Sequence, residues 1–198
     1  MTASDLTLEG GGAALLLLPG ALEPPETLLP LARALHGGGL SVAVPALCLG
    51  GESWRASVAS ARSAFVHLRA RHVCVSICAL GEGAWTALML AEEYAPDQLI
   101  MAARRTPPLP MRARWEIMRL RRRAVADLFA LSAPAHILLL SPERSAQRQA
   151  RKLARLLNCA DTRCAPPRAL CDVIVRMAVG QAAADPAAIS PRIIQKVF

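Results

Sequence analysis

The chain has 198 residues, 54% of them apolar, and a mean hydropathy of +0.33. That length suits one domain with one full core, and the apolar content excludes a disordered chain. No apolar run approaches the ~18 residues of a membrane-spanning helix, and Met1–Glu9 is acidic rather than a basic leader. The expectation is a cytoplasmic protein forming one domain over residues 1–198. Charge is unevenly spread. Residues 104–155 hold 13 of the 23 Lys and Arg but only three acids (Glu116, Asp127 and Glu143), a net +10, which leaves the rest of the chain at −2. Arg outnumbers Lys 21 to 2.

In chain order, the first apolar run, Ala13–Leu18, reads as a strand covered on both faces. A helix follows over Pro25–Leu35, opened by a proline pair and stopped by Gly37-Gly38-Gly39. Leu40–Val44 is the next strand, and Ser53 is placed to cap a helix running through Leu68. Val73–Cys78 is a strand, Gly83–Tyr94 a helix and Gln98–Ala102 a strand. The Pro-rich break Thr106–Pro110 introduces a basic helix over Met111–Phe129. A strand at Ala135–Leu140, a helix at Ser145–Leu157, a weaker strand at Ala160–Cys164 and a helix at Ala169–Val179 complete the body. Ser190-Pro191 suggests the start of a short terminal helix. Strands alternating with helices indicate an α/β domain with a mostly parallel sheet.

Six cysteines occupy positions 48, 74, 78, 159, 164 and 171. Cys74 and Cys78 fall four apart in one strand, ~13 Å between Cα atoms and too far for a disulfide. The other group lacks both a tight C-x-x-C pair and a nearby His, so reduced, packing thiols are the reading rather than zinc ligands. No cofactor is implied.

Four patterns occur in a telling order. Leu15-Leu16-Leu17-Leu18-Pro19-Gly20 is a strand entering a Gly turn. Val44-Pro45-Ala46-Leu47-Cys48-Leu49-Gly50-Gly51-Glu52-Ser53 follows the second strand. Val75-Ser76-Ile77-Cys78-Ala79-Leu80-Gly81-Glu82-Gly83 is a strand, a sharp turn and a Gly-rich helix start, and Pro134–Leu140 is a late strand entering a polar turn. Over residues 13–160 this resembles the α/β-hydrolase superfamily, in its small carboxylesterase-like and lysophospholipase-like members. The resemblance implies a three-layer sandwich around a mostly parallel sheet, without a large lid. Residues 104–130 would form a basic, lid-like insertion, and the family's early strands would come from Asp5–Glu9 or be missing.

The same resemblance locates a reaction centre. Its nucleophile elbow, Gly-x-Ser-x-Gly, aligned on Ile77-Cys78-Ala79-Leu80-Gly81, puts Ala79 where the serine belongs. Glu143 lies two residues short of the acid position. The four histidines are His36, His67, His72 and His136, so none follows the last strand. Backbone N–H groups of Ala21 and Leu80 would form the oxyanion hole, and a retained ligand site would comprise Gly20, Ala21, Cys78, Ala79 and Leu80. Cys78 is the only nearby nucleophile, although one residue before Ala79 it should face the opposite side of the strand. His136 reads as a hydrogen-bonded packing residue.

On the basic helix, Met111, Trp115, Met118, Val125 and Phe129 share one face, and Arg122 falls among them. That stripe is expected to pack, with Arg122 snorkelling. Arg119, Arg121 and Arg123 are candidates for anion binding. Aromatics at 4% and the lack of a groove-reading motif argue against nucleic acid. Three functions follow from the sequence. One is a degenerate hydrolase binding a small acyl or anionic ligand or a protein partner. The second is an active esterase with a rearranged site at Cys78. The third is a basic protein that binds anionic surfaces through 112–123.

Overall fold

Unbroken apolar runs separated by amphipathic stretches can bury themselves only as strands covered by helices on both faces. The computed structural model describes residues 5–47, 53–104, 108–126, 133–141, 143–157, 162–164 and 170–178. Its strands are β1 (Leu6–Leu8), β2 (Ala13–Leu18), β3 (Ser41–Val44), β4 (Cys74–Leu80), β5 (Leu99–Ala103), β6 (Ala135–Leu139) and β7 (Thr162–Cys164). Its helices are α1 (Leu29–Gly37, after a 3-10 turn at Pro25–Leu28), α2 (Trp54–Arg69), α3 (Gly83–Tyr94), α4 (Met111–Ala126), α5 (Arg144–Leu157) and α6 (Leu170–Ala178). The terminal helix expected at Ser190-Pro191 lies outside the described residues.

The strands form one sheet in the order β1-β3-β2-β4-β5-β6-β7. Only β1 runs antiparallel, with Leu6 opposite Val44 and Leu8 opposite Val42. The central pairing is β2 with β4, from Ala13↔Cys74 to Leu18↔Ala79. Side chains alternate across the sheet. Leu15, Leu17, Val42, Cys78, Ile100 and Leu138 pack with Leu35, Ile174 and Met177 of α1 and α6. Leu16, Leu18, Ile77, Ala79, Met101 and Ile137 pack with residues of α2 to α5, among them Phe65, Leu88, Leu120 and Leu153. The architecture is the three-layer sandwich expected.

Two local expectations change. Ser53 precedes α2, but its side chain makes no capping bond. The Trp54 N–H instead donates to Glu116 Oε2 of α4 at 3.0 Å, a cap supplied from 62 residues away. The second change concerns α4, which lies against α2 and α3. It buries Ala113, Ile117, Leu120 and Ala124. Met111 and Trp115, expected inside, are 65% and 53% exposed. At 3.6 residues per turn, the Met111–Trp115–Met118 ridge stands roughly 150° from the buried face. Arg122 is exposed on that ridge and has no core to snorkel along. Small alanines let two helices approach closely, so the contact face is marked by Ala rather than by the largest apolar side chains.

Candidate functional site

The carboxyl end of β4 lies beside β2 near the middle of the sheet, and the chain there turns sharply into α3. The turn residue is Gly81, with φ +53°, in the left-handed region that disfavours a side chain. Two residues on, a Cβ at Gly83 would stand 2.4 Å from the Pro19 carbonyl oxygen, so α3 can approach β2 only with glycine there. With the family's serine placed on this turn, Gly-x-Ser-x-Gly aligns with Ala79-Leu80-Gly81-Glu82-Gly83. On that alignment the nucleophile position would be Gly81 rather than Ala79. Ala79 is completely buried inside β4. Leu80, opposite Ala102, ends that strand, so the residue following the turn's nucleophile position is Glu82. The register slipped by two in sequence because Ala79, Gly81 and Gly83 are all small. Backbone φ separates them; residue type does not.

The space above this turn is filled by the protein itself. Glu23 and Arg104 form an ion pair, their side chains 15% and 31% exposed. Glu23 Oε2 also accepts the Gly20 N–H at 2.9 Å. Arg104 Cγ and Nε lie 3.6 Å from where a Cβ on Gly81 would be, and its Nη2 lies 2.9 Å from the corresponding point on Gly20. The guanidinium side chain of Arg104 thus stands against both glycines, and the Glu23 carboxylate against Gly20. Gly20, Ala21, Cys78, Ala79 and Leu80, expected to line a ligand site, are all buried.

The remaining candidates are dispersed. Cys78 faces α1 and α6, on the side of the sheet opposite Ala79. Burial pushes its thiol up to about 12, so no thiolate forms there at neutral pH. Glu143 is exposed immediately before α5, its backbone N–H on Ser141 Oγ at 3.3 Å. His136 Nε2 lies 2.9 Å from Gln98 Oε1 on the neighbouring edge of β5, the packing role expected. The segment 165–169 that follows β7 lies outside the described residues.

The fold as a whole has counterparts among solved structures. A lipolytic enzyme from a metagenome superposes with a TM-score of 0.71 over 92% of this chain and 98% of its own, at 13% identity. The monoacylglycerol lipase of Paleococcus ferrophilus gives 0.65 over 92% and 100%, also at 13% identity. The chain has the α/β-hydrolase fold. A thioesterase domain from the curacin biosynthetic pathway shares it as well, with a TM-score of 0.62 and 11% identity over 89% of this chain and 94% of that one. No protein-family model and no curated protein sequence matches the chain.

On this hydrolase fold the open concavity lies beside the turn, between α4 and α5. A groove of about 580 Å³ has Trp85, Leu109, Met111, Trp115, Ile117 and Met118 as its apolar lining, within the size range of small-ligand clefts. Arg114, Arg121, Arg148 and Lys152 ring it, with Glu82 at the α3 end. Arg121 and Lys152 both stand over the Trp85 ring, 5.5 and 5.6 Å from its centroid. The Trp85 indole N–H donates to Glu82 Oε2 at 2.7 Å, which fixes the ring's position. Gln149 also lines the groove, and both polar atoms of its amide are buried without a hydrogen-bond partner among the described residues. Of the expected anion binders only Arg121 reaches this groove. Arg119 pairs with Glu116 one turn back, and Arg123 is exposed elsewhere on α4. Arg114, Arg148, Lys152 and Gln149 went unrecognised in sequence because three of the four lie on α5, which faces the groove beside α4 only in the folded chain.

Proposed function

We propose that this is an α/β-hydrolase-fold protein that does not hydrolyse and acts by binding an anionic ligand or surface. The single observation that carries the reading is Gly81 at the turn, with Arg104, the ion-pair partner of Glu23, lying against it. Acyl transfer on this fold needs a side-chain nucleophile at the turn and a base that takes its proton. Glycine supplies no nucleophile, and no histidine follows His136 in the sequence. Cys78 is a poor substitute, because it is buried, protonated and on the other face of the sheet. The binding half of the reading is supported by the cationic groove between α4 and α5.

The test is direct. A fluorophosphonate probe should leave no adduct on the purified protein, and p-nitrophenyl acetate and butyrate should be hydrolysed at the background rate, before and after thiol alkylation. Gly81→Ser should also stay inactive, since general-base assistance typically contributes ~10²–10⁴-fold and no base stands in the family's position. A serine adduct on the parent protein, or thiol-dependent turnover, would overturn the proposal.

A further inference from the structure

We infer that the α4–α5 face docks on an anionic phospholipid bilayer, with the Met111–Trp115 ridge entering the interface and the adjoining groove receiving a lipid headgroup phosphate. The inference gives the binding half of the preceding reading a surface and a partner. It stands whether or not any turnover remains.

The first argument is the placement of apolar side chains on α4. A helix lying on a globular core keeps its large apolar residues inward. Here Met111 and Trp115, one turn apart, are among the few large apolar side chains that the described residues leave exposed. They project away from the buried face and also border the groove, so a planar apolar interface laid on this face would cover the ridge and the groove mouth together. Helical geometry puts Arg114 and Arg121 on one flank of the ridge and Arg112, Arg119 and Arg123 on the other. An apolar crest bordered on both sides by arginine is the pattern of a helix lying in the membrane interface plane.

The second argument is charge. Elsewhere several arginines find acids, among them Arg62 with Glu93 at 2.7 Å, Arg69 with Asp97 at 2.7 Å, and Arg71 with Glu9. Around the groove they do not. Arg114, Arg121, Arg148 and Lys152 make no ion pair with any described residue, against one carboxylate, Glu82. The basic band continues along α5 through Arg151 and Arg155, which line a second hollow with Arg148 and Lys152. This breadth exceeds one small anion and fits a sheet of them, since clusters of 4–8 basic residues on such a helix favour anionic lipid.

The third argument is the buried, unpartnered Gln149 amide. A buried polar atom left unsatisfied destabilises the fold, and a phosphate oxygen in the groove would accept from the Gln149 NH2 group. The Glu82 carboxylate, held on the Trp85 indole N–H, marks the far end of the groove and leaves the headgroup to the four cations.

Vesicle flotation tests this on the full chain. The protein should float with phosphatidylcholine vesicles containing phosphatidylserine and not with phosphatidylcholine alone, and raised salt should weaken the association. Replacing Met111 by Ser together with Trp115 by Ala should lower partitioning about tenfold or more. Arg121→Gln and Lys152→Gln should each lower it about fivefold. In the unmutated protein, bromine-labelled phosphatidylserine should quench tryptophan emission, and Trp115→Phe should remove most of that quenching, a readout that does not depend on the double variant folding. Failure to float with anionic vesicles would overturn the inference. So would undiminished binding by a folded double variant, which would make the contact purely electrostatic. Equal affinity for soluble glycerophosphoserine or for an acidic peptide would overturn it too, by placing the partner in solution. None of these outcomes touches the fluorophosphonate result.

Discussion

The turn between β4 and α3 and the groove between α4 and α5 are neighbours built on opposite terms. At the turn the scaffold of the hydrolase fold is intact, down to a left-handed Gly81 and a Gly83 pressed against the Pro19 carbonyl, yet the space above is filled by an internal ion pair. In the groove the walls are apolar, and among the described residues the cations make no ion pair and the Gln149 amide has no hydrogen-bond partner. Backbone geometry survives at the turn because strand–helix packing requires it, independently of any chemistry. Charge at the rim that pairs with no described residue has no such structural reason, and so it is what the proposed binding role rests on.

The sharpest way to separate the two regions is to load each with a substitution. Gly83→Ala should lower stability by about 3 kcal/mol in urea denaturation, because its Cβ would meet the backbone oxygen of Pro19 at 2.4 Å, and backbone cannot step aside as a side chain can. Arg114→Gln with Arg148→Gln should leave the same midpoint unchanged. A tolerated Gly83→Ala would show that the turn is not under packing constraint and would break the contrast.

A second test asks how dry the interior of the sheet is. The Cys78 thiol ordinarily titrates near 9.0 and is pushed up to about 12 by burial. Above pH 9 the unfolded chain therefore releases a proton that the folded chain retains. Stability should fall as pH rises from about 9 towards 12, by about 1 kcal/mol per pH unit. Cys78→Ala should show a shallower alkaline decline than the parent, measured by denaturant melts at successive pH values. Equal slopes would mean that water reaches β4.

The ion pair gives a smaller effect. Glu23→Gln keeps an acceptor for the Gly20 N–H but removes the charge beside Arg104, which is partly exposed. The cost should be about 1 kcal/mol after solvent screening, read as a modest fall in the urea midpoint. An unchanged midpoint would mean that Glu23 and Arg104 only occupy the space above Gly81, with no net attraction. Arg122→Gln should be the quietest of all, within about 0.5 kcal/mol of the parent, since Arg122 sits exposed on the outer ridge of α4. A larger loss would mean that the ridge packs after all, against the burial of Ala113, Ile117, Leu120 and Ala124.

The sequence by itself determined most of the elements and their order. Ala13–Leu18 and Gly83–Tyr94 form as read, and the other described strands and helices fall within a few residues of their expected limits. Those elements were legible because unbroken apolar runs, proline starts and glycine stops act over a few residues. Even the antiparallel first strand lay within the Asp5–Glu9 window. Only the tertiary structure decided the register of the turn, since Ala79, Gly81 and Gly83 are equally small and only the φ of +53° and the approach of Pro19 tell them apart. It also decided which face of α4 is buried, because close helix packing selected alanines that a search for large apolar residues passes over. The Glu23–Arg104 pair spans 81 residues, and the groove joins Arg121 of α4 to Lys152 of α5 across one tryptophan of α3. Contacts of that separation are set by how helices stack on the sheet, and no local pattern of charge or hydrophobicity encodes them.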